Sequence, residues 1–227
     1  MSGRPLPLAA GVLASGRGSN LQAILDEIAA GRLAAAVKVV VSDVGDAFAL
    51  ERARRAGVPA VFVDPKAPGG KEAHERRLVE VLRGHGVELV VLAGYMRICG
   101  PALLAAFPGR ILNIHPSLLP AFPGVHVQRR ALENGARFSG CTVHFVDAGV
   151  DTGPIVAQAV VPVLDADTEE TLAARILRQE HRVYPHAIRL FAEGRLRLNG
   201  RRVLVNAPAP GADDSALIHP PLPGDLS

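Results

Sequence analysis

Tryptophan is absent from this 227-residue chain, tyrosine occurs twice, and aromatic residues make up only 4%. With so few rings, a hydrophobic content of 48% has to be packed from Val, Leu, Ile and Ala. That is the composition of parallel strands beneath apolar helix faces. The same scarcity argues against a platform that stacks nucleic-acid bases on exposed rings. No run of eighteen apolar residues occurs, so no spanning helix is expected, and M-S-G-R-P-L-P lacks the apolar core of a secretory leader. Cysteine appears only as Cys99 and Cys141. They form no C-x-x-C and sit in apolar company, so two free thiols in a reducing cytoplasm are expected. H-E-x-x-H and a carboxylate cage are missing too, so no metal is expected. The absence of G-x-S-x-G argues against a serine hydrolase. A net charge of only +3, carried largely by scattered arginines, is the signature of a solvated surface rather than a nucleic-acid stripe.

What is present is an alternation of strand and helix patterns within the length of one domain. Residues 7–14 read as a buried strand, followed by the loop S-G-R-G-S-N and a helix with Leu21, Ile24, Leu25 and Ile28 at helical spacing, ended near Gly31. Strands are expected at 37–42, 59–63, 88–93 and 111–115, with helices over 46–56 and 71–83 between them. Repeated strand–helix–strand units imply a parallel sheet with right-handed crossovers. Two further strands at about 139–147 and 154–163 precede a helix from Thr168 to Glu193. Asn199-Gly200 is expected to be the two-residue turn of a closing hairpin. The fold class expected is therefore an α/β, Rossmann-like open and mostly parallel sheet with helices on both faces, with antiparallel additions in the C-terminal part. Residues 206–227 are proline-rich and unpatterned, and are expected to form a disordered tail after a single domain over 1–205.

A parallel sheet binds ligands beyond the carboxyl ends of its strands, which gathers the loops 15–20, 93–98 and 113–120 on one rim. In L-N-I-H-P-S-L-L-P, strand alternation puts Asn113 and His115 on one face and Leu112 and Ile114 on the other. A neutral amide and an imidazole at the end of a core strand are a candidate site. In S-G-R-G-S-N, Gly16 and Gly18 permit close backbone approach, and Ser19-Asn20 opens a helix whose N-terminus favours an anion. The dinucleotide fingerprint is excluded, because its third glycine position holds Leu21, and the Walker lysine is missing. A plain strand–helix turn capped by Ser or Asn stays open beside the anion reading. Further on, Thr142, His144 and Val146 share one strand face. His144 by itself reads as a strand histidine. Asp151, in D-T-G-P, is by local sequence an Asx-turn residue. A carboxylate reaching His115 would instead orient the imidazole and raise its pKa.

Taken together, S-G-R-G-S-N, L-A-G-Y-M-R-I, L-N-I-H-P-S-L-L-P-A-F-P-G and D-T-G-P resemble the folate-dependent formyltransferases, and among them the glycinamide ribonucleotide formyltransferases, over roughly residues 8–198. The resemblance implies transfer of a formyl group from 10-formyltetrahydrofolate, as co-substrate, to glycinamide ribonucleotide in purine biosynthesis. It implies Asn113, His115 and Asp151 as the catalytic set. Gly18, Ser19 and Asn20 would hold the ribonucleotide phosphate, with Gln179 and Glu180 near the glycinamide end. Met96, Arg97, Ile98 and Cys99 would line the pterin pocket, mostly through backbone groups. Lys71, Asn113, His144 and Asp147 complete the folate set. Lys71 and Cys99 stand where the family more often has Arg and Leu, and Asp147 where Thr is frequent. Lys71 keeps a positive charge for the glutamate tail but loses a bidentate fork.

Three other readings are set against this one. Methionyl-tRNA formyltransferase is expected to carry a further RNA-binding domain, and formyltetrahydrofolate deformylase an N-terminal regulatory one, for which this chain offers no pattern. A non-catalytic nucleotide-binding module accounts for the glycine loop but leaves Asn113, His115 and Asp151 without a purpose. The partners expected are small molecules, with neither nucleic acid nor membrane, on a cytoplasmic monomer or homodimer.

Overall fold

The structure, a computed structural model, describes residues 7–206. In chain order the elements are β1 (Leu8–Leu13), α1 (Ser19–Ala29), β2 (Ala35–Ser42), α2 (Phe48–Arg55), β3 (Ala60–Phe62), α3 (Gly70–Gly84), β4 (Leu89–Leu92), α4 (Pro101–Ala106) and β5 (Ile111–His115). They continue with α5 (Val127–Glu133), β6 (Phe138–Phe145), β7 (Ile155–Pro162), α6 (Glu169–Ala192), β8 (Leu196–Asn199) and β9 (Arg202–Val205). The short helices α4 and α5 were not legible as helices, because six or seven residues give too few turns for a 3.6-residue period to register.

Seven strands form one sheet in the order β3-β2-β1-β4-β5-β6-β7. The first five are parallel, and β6 and β7 are added antiparallel at one side. The chain winds outward from β1 through β2 to β3, then returns to the other flank of β1 as β4. That reversal opens a crevice between the carboxyl ends of β1 and β4.

Alternation along the strands divides the core in two. Val12, Val40, Val91, Leu112 and Ile114 face a cluster completed by residues of α1, α2 and α6. Leu13, Val39, Val41, Leu92 and Ile111 face Leu78 and Leu82 of α3 and Leu103 of α4. Asn113 and His115 follow Ile111 with period two, so they lie on the α3/α4 face, where helical cover gives out.

The long helix α6 starts in a capping box: Thr168 accepts from the Thr171 backbone N–H, and the Thr171 hydroxyl accepts in return from the Thr168 N–H. It passes through Pro185 and buries Tyr184 completely. The Tyr184 hydroxyl sits 3.0 Å from the Leu92 carbonyl and 2.9 Å from the Leu112 carbonyl. It thereby supplies a donor to two strand ends.

The closing hairpin differs from expectation by one residue. Asn199 pairs with Arg202, so the turn is Gly200-Arg201. Gly200 at the first loop position, with φ 59, supplies the positive dihedral that a two-residue hairpin needs there. Asn206, placed in the tail by sequence, is still tied to Arg195 by backbone and side-chain hydrogen bonds. The rest of that expected tail lies outside the described residues.

Candidate active site

Asp151 is the hub of a buried polar cluster. Its Oδ2 lies 3.3 Å from Nδ1 of His115, and its Oδ1 lies 3.6 Å from Nε2 of His144. The Gly124 backbone N–H donates to Oδ2 at 2.8 Å. His144 stands opposite Asn113 in the β5–β6 ladder, and its Nε2 is 3.1 Å from the Asn113 amide nitrogen. Nδ1 of His144 is 2.8 Å from the Phe145 carbonyl and must donate to it, while Nε2 faces both the Asn113 amide and Asp151 Oδ1. The Asn113 amide is thus held against His144.

The opposite side of His115 is also held. Its Nε2 lies 3.0 Å from the Phe122 carbonyl, which accepts from the Ser117 hydroxyl as well. Burial pushes the His115 pKa below the ordinary histidine value, against the upward pull of the Phe122 carbonyl and Asp151. The expected upward effect of Asp151 is present in sign, but desolvation outweighs it, so the net shift is a fall. Burial raises the Asp151 pKa, but the His144 contact, the Gly124 N–H and the charge of His115 together bring it below the usual carboxylate value.

Asp151 is not the turn residue that its local sequence suggested. That part falls to Asp147, whose Oδ1 accepts from the Gly149 N–H and the Thr152 hydroxyl. Asp151 itself has φ 55, and its carboxylate meets Gly124 and His115 rather than its own turn. Gly153 is obligatory behind it, because an added Cβ would lie 1.8 Å from the Phe145 carbonyl oxygen.

Beside this cluster, on the same sheet face, lies a cavity of about 320 Å³. Lys71, Met96, Arg97, Ile98 and Cys99, five of the expected folate residues, line it together with His74, Glu75 and Tyr95. Burial pushes the Cys99 thiol up to about 12, so it acts as an apolar wall. The Arg97 guanidinium pairs with Asp43 at 2.7 Å. His144, by contrast, faces Asn113 and Asp151.

The glycine loop leaves β1 on the same rim. Gly18, at φ 69, caps α1 without a side-chain cap bond, so the capped-turn alternative is not what forms. A Cβ on Gly18 would lie 2.8 Å from Cα of Ala49. The loop is clamped onto α2: the Ala49 N–H donates to the Gly16 carbonyl at 3.0 Å, and Arg52 Nε donates to the Arg17 carbonyl at 2.9 Å. Ser19 borders a separate surface hollow shared with Arg52 and His181. Asn20 is buried, and its amide donates to Glu180 Oε2 at 2.7 Å. Burial raises the Glu180 pKa above the usual value. Gln179 is not drawn into this pair; its side chain accepts from Arg182 on the surface of α6.

Sequence reading missed Asp43, Ser15, Tyr184 and the backbone groups of Phe122 and Gly124. Only Asp43 carried a signal, a polar Ser42-Asp43 pair closing an apolar run just as Asn113 and His115 do. Among the described residues no group of three or more His, Cys, Asp or Glu is arranged to hold a metal ion, and no helix is long and apolar enough to cross a membrane.

An open α/β sheet with an amide, an imidazole and a carboxylate at its strand ends beside a cavity is an arrangement suited to group transfer. Residues 10–188 match the formyl transferase family, and the chain belongs to it. The phosphoribosylglycinamide formyltransferase of Escherichia coli (strain K12) is 47% identical over 188 residues, covering 83% of this chain and 89% of that protein. The crystal structure of glycinamide ribonucleotide transformylase 1 from Symbiobacterium toebii matches with a TM-score of 0.89 at 58% identity, over 90% of this chain and 97% of that one. A formyltetrahydrofolate deformylase from Pseudomonas syringae pv. tomato str. DC3000 matches with a TM-score of 0.83 at 26% identity, with 88% of this chain and 66% of that one covered.

Proposed function

We propose that the chain transfers the formyl group of 10-formyltetrahydrofolate to the amine of glycinamide ribonucleotide, by direct attack and without a covalent enzyme intermediate. The observation that carries this reading is the Asn113–His115–Asp151 cluster beside the cavity. Names of the relatives support the choice of substrates. The cavity fits a flat heteroaromatic donor: Leu78, Leu103 and the neutral Cys99 offer apolar walls, and Lys71 at the edge offers a cation for a carboxylate tail.

The amine attacks the formyl carbon, and negative charge develops on the formyl oxygen. An N–H of the Asn113 amide, positioned by its contact with His144, donates to that oxygen. The attacking nitrogen must lose a proton and the departing folate nitrogen must gain one. His115 and Asp151 take up and return it, a role typically worth about 10²–10⁴ in rate. Protonated His115 has an acceptor at each nitrogen, Phe122 and Asp151, so the geometry receives the cation that burial disfavours at rest. The N–H groups opening α1, which a helix cannot satisfy within itself, suit the ribonucleotide phosphate, and Asn20 beside them pairs with Glu180.

The test is an absorbance assay of a 10-formyl folate analogue with and without glycinamide ribonucleotide. Deformylation that requires the ribonucleotide, with formyl recovered on it, is expected. Ribonucleotide-independent release of formate would assign a deformylase instead, and binding without turnover would assign a nucleotide-binding module.

A further inference from the structure

The rim carries one more buried charge, and the reaction described above does not use it. Asp43 follows β2, and its side chain is only 7% exposed. Its Oδ1 accepts the Ser15 hydroxyl at 2.6 Å, and its Oδ2 accepts Arg97 Nε at 2.7 Å. Ser15 in turn accepts the Met96 backbone N–H on its hydroxyl oxygen at 3.0 Å, and donates its own N–H to the Gly94 carbonyl at 3.0 Å. These four bonds join the carboxyl ends of β1, β2 and β4 across the crevice where the strand order reverses.

The two loops so joined are not equally secure. Residues 15–20 are clamped independently onto α2 through Ala49 and Arg52. At the ends of residues 95–99, Cys99 is buried and the Tyr95 hydroxyl meets His74 Nε2 at 3.3 Å, but Met96 and Ile98 between them are 75% and 56% exposed. Between those ends the loop is held by hydrogen bonds of the Met96 backbone and the Arg97 side chain. Both lead to Asp43, one directly and one through Ser15.

We propose that Asp43 is a positioning residue for the formyl donor, fixing the 95–99 loop to the clamped 15–20 loop so that the cavity backbone is held in register with Asn113. The proposal rests on the assignment of the 95–99 cavity to the donor and of 15–20 to the ribonucleotide.

Asp43→Asn keeps an acceptor for Ser15 and removes the charge that pairs with Arg97. Donor KM, and the dissociation constant of a non-hydrolysable folate analogue, are expected to rise roughly tenfold, the scale of a lost charged hydrogen bond. Ribonucleotide KM should move less than about threefold, because α2 still clamps its loop. Arg97→Gln should act on the donor alike, and the double variant should be no worse than either single one. Ser15→Ala, which keeps the ion pair, is the second probe if Asp43→Asn folds poorly, and should also weaken the donor selectively. Parallel loss of both substrates, additive single effects, or a fall in kcat with donor KM unchanged would each overturn the proposal. Failure of the substrate assignment shows separately, as wild-type protein that binds neither the analogue nor the ribonucleotide.

Discussion

Asp151 Oδ2 and His115 Nδ1 lie 3.3 Å apart, with Asp151 in a left-handed backbone conformation. Asp151 contributes upward to a His115 pKa that burial holds low. Asp151→Asn should therefore move that pKa further down. Turnover should drop by roughly two to four orders of magnitude, as for other proton-transfer groups, while ground-state binding of either substrate changes little. The two readouts are steady-state kinetics and NMR titration of the His115 ring. Near-normal turnover with an unshifted titration would remove Asp151 from the reacting centre.

Stability should respond to pH through the histidines before the carboxylates. Burial is the leading cause of lowered pKa at His74, His115, His181 and His186. Each takes up a proton more readily when unfolded than when folded. The stability linked to them is complete above the ordinary value of 6.5 and is lost as pH falls through it toward the folded values. Depressed carboxylates such as Asp151 and Asp167 matter only lower, as pH falls through their folded values. Calorimetry is expected to give a melting temperature that is level from roughly pH 7 to 8 and several degrees lower by about pH 5.5. A flat profile across that window contradicts the account.

Gly18 is expected to be intolerant of a side chain for two separable reasons. Its φ of 69 strains any L-residue, and a Cβ would press on the Ala49 backbone 2.8 Å away. Gly18→Ala should lower stability by about 1–2 kcal/mol and raise ribonucleotide KM severalfold more than donor KM. Equal changes in both constants would mean that the loop is only a strand–helix turn.

Tyr184→Phe should test the bridge from α6 to the sheet. The hydroxyl is aimed at the Leu92 and Leu112 carbonyls, and the ring is fully buried. Removing it leaves buried acceptors short of a donor, at a cost of about 1–3 kcal/mol. Because Leu92 and Leu112 immediately precede Ala93 and Asn113, kcat should also fall. Chemical denaturation and kinetics on the same sample check both parts. A variant as stable and as active as the parent would show the hydroxyl to be dispensable.

The parallel sheet, its helices on both faces and the strand-end position of Asn113 and His115 were legible because they follow from periodicity. Alternation of two and of 3.6 residues is written into adjacent positions, so Leu112 and Ile114 on one side dictate Asn113 and His115 on the other. The motif resemblance likewise drew Lys71 and 96–99 to one cavity, although these segments are separated by α3 and β4. What sequence alone left open at Asp151 was decided by tertiary structure. D-T-G-P is compatible with an Asx turn. Asp147 takes that part instead, and the Gly124 N–H and two imidazoles supply Asp151 with partners from distant segments. The sign of the His115 shift was also a tertiary matter, since desolvation depends on what covers the ring and not on its neighbours in sequence. Asp43 shows the same division. Its place at a strand end was determined locally, whereas its link to Ser15 and Arg97 depends on β1, β2 and β4 ending side by side, which only the order of strands in the folded sheet provides.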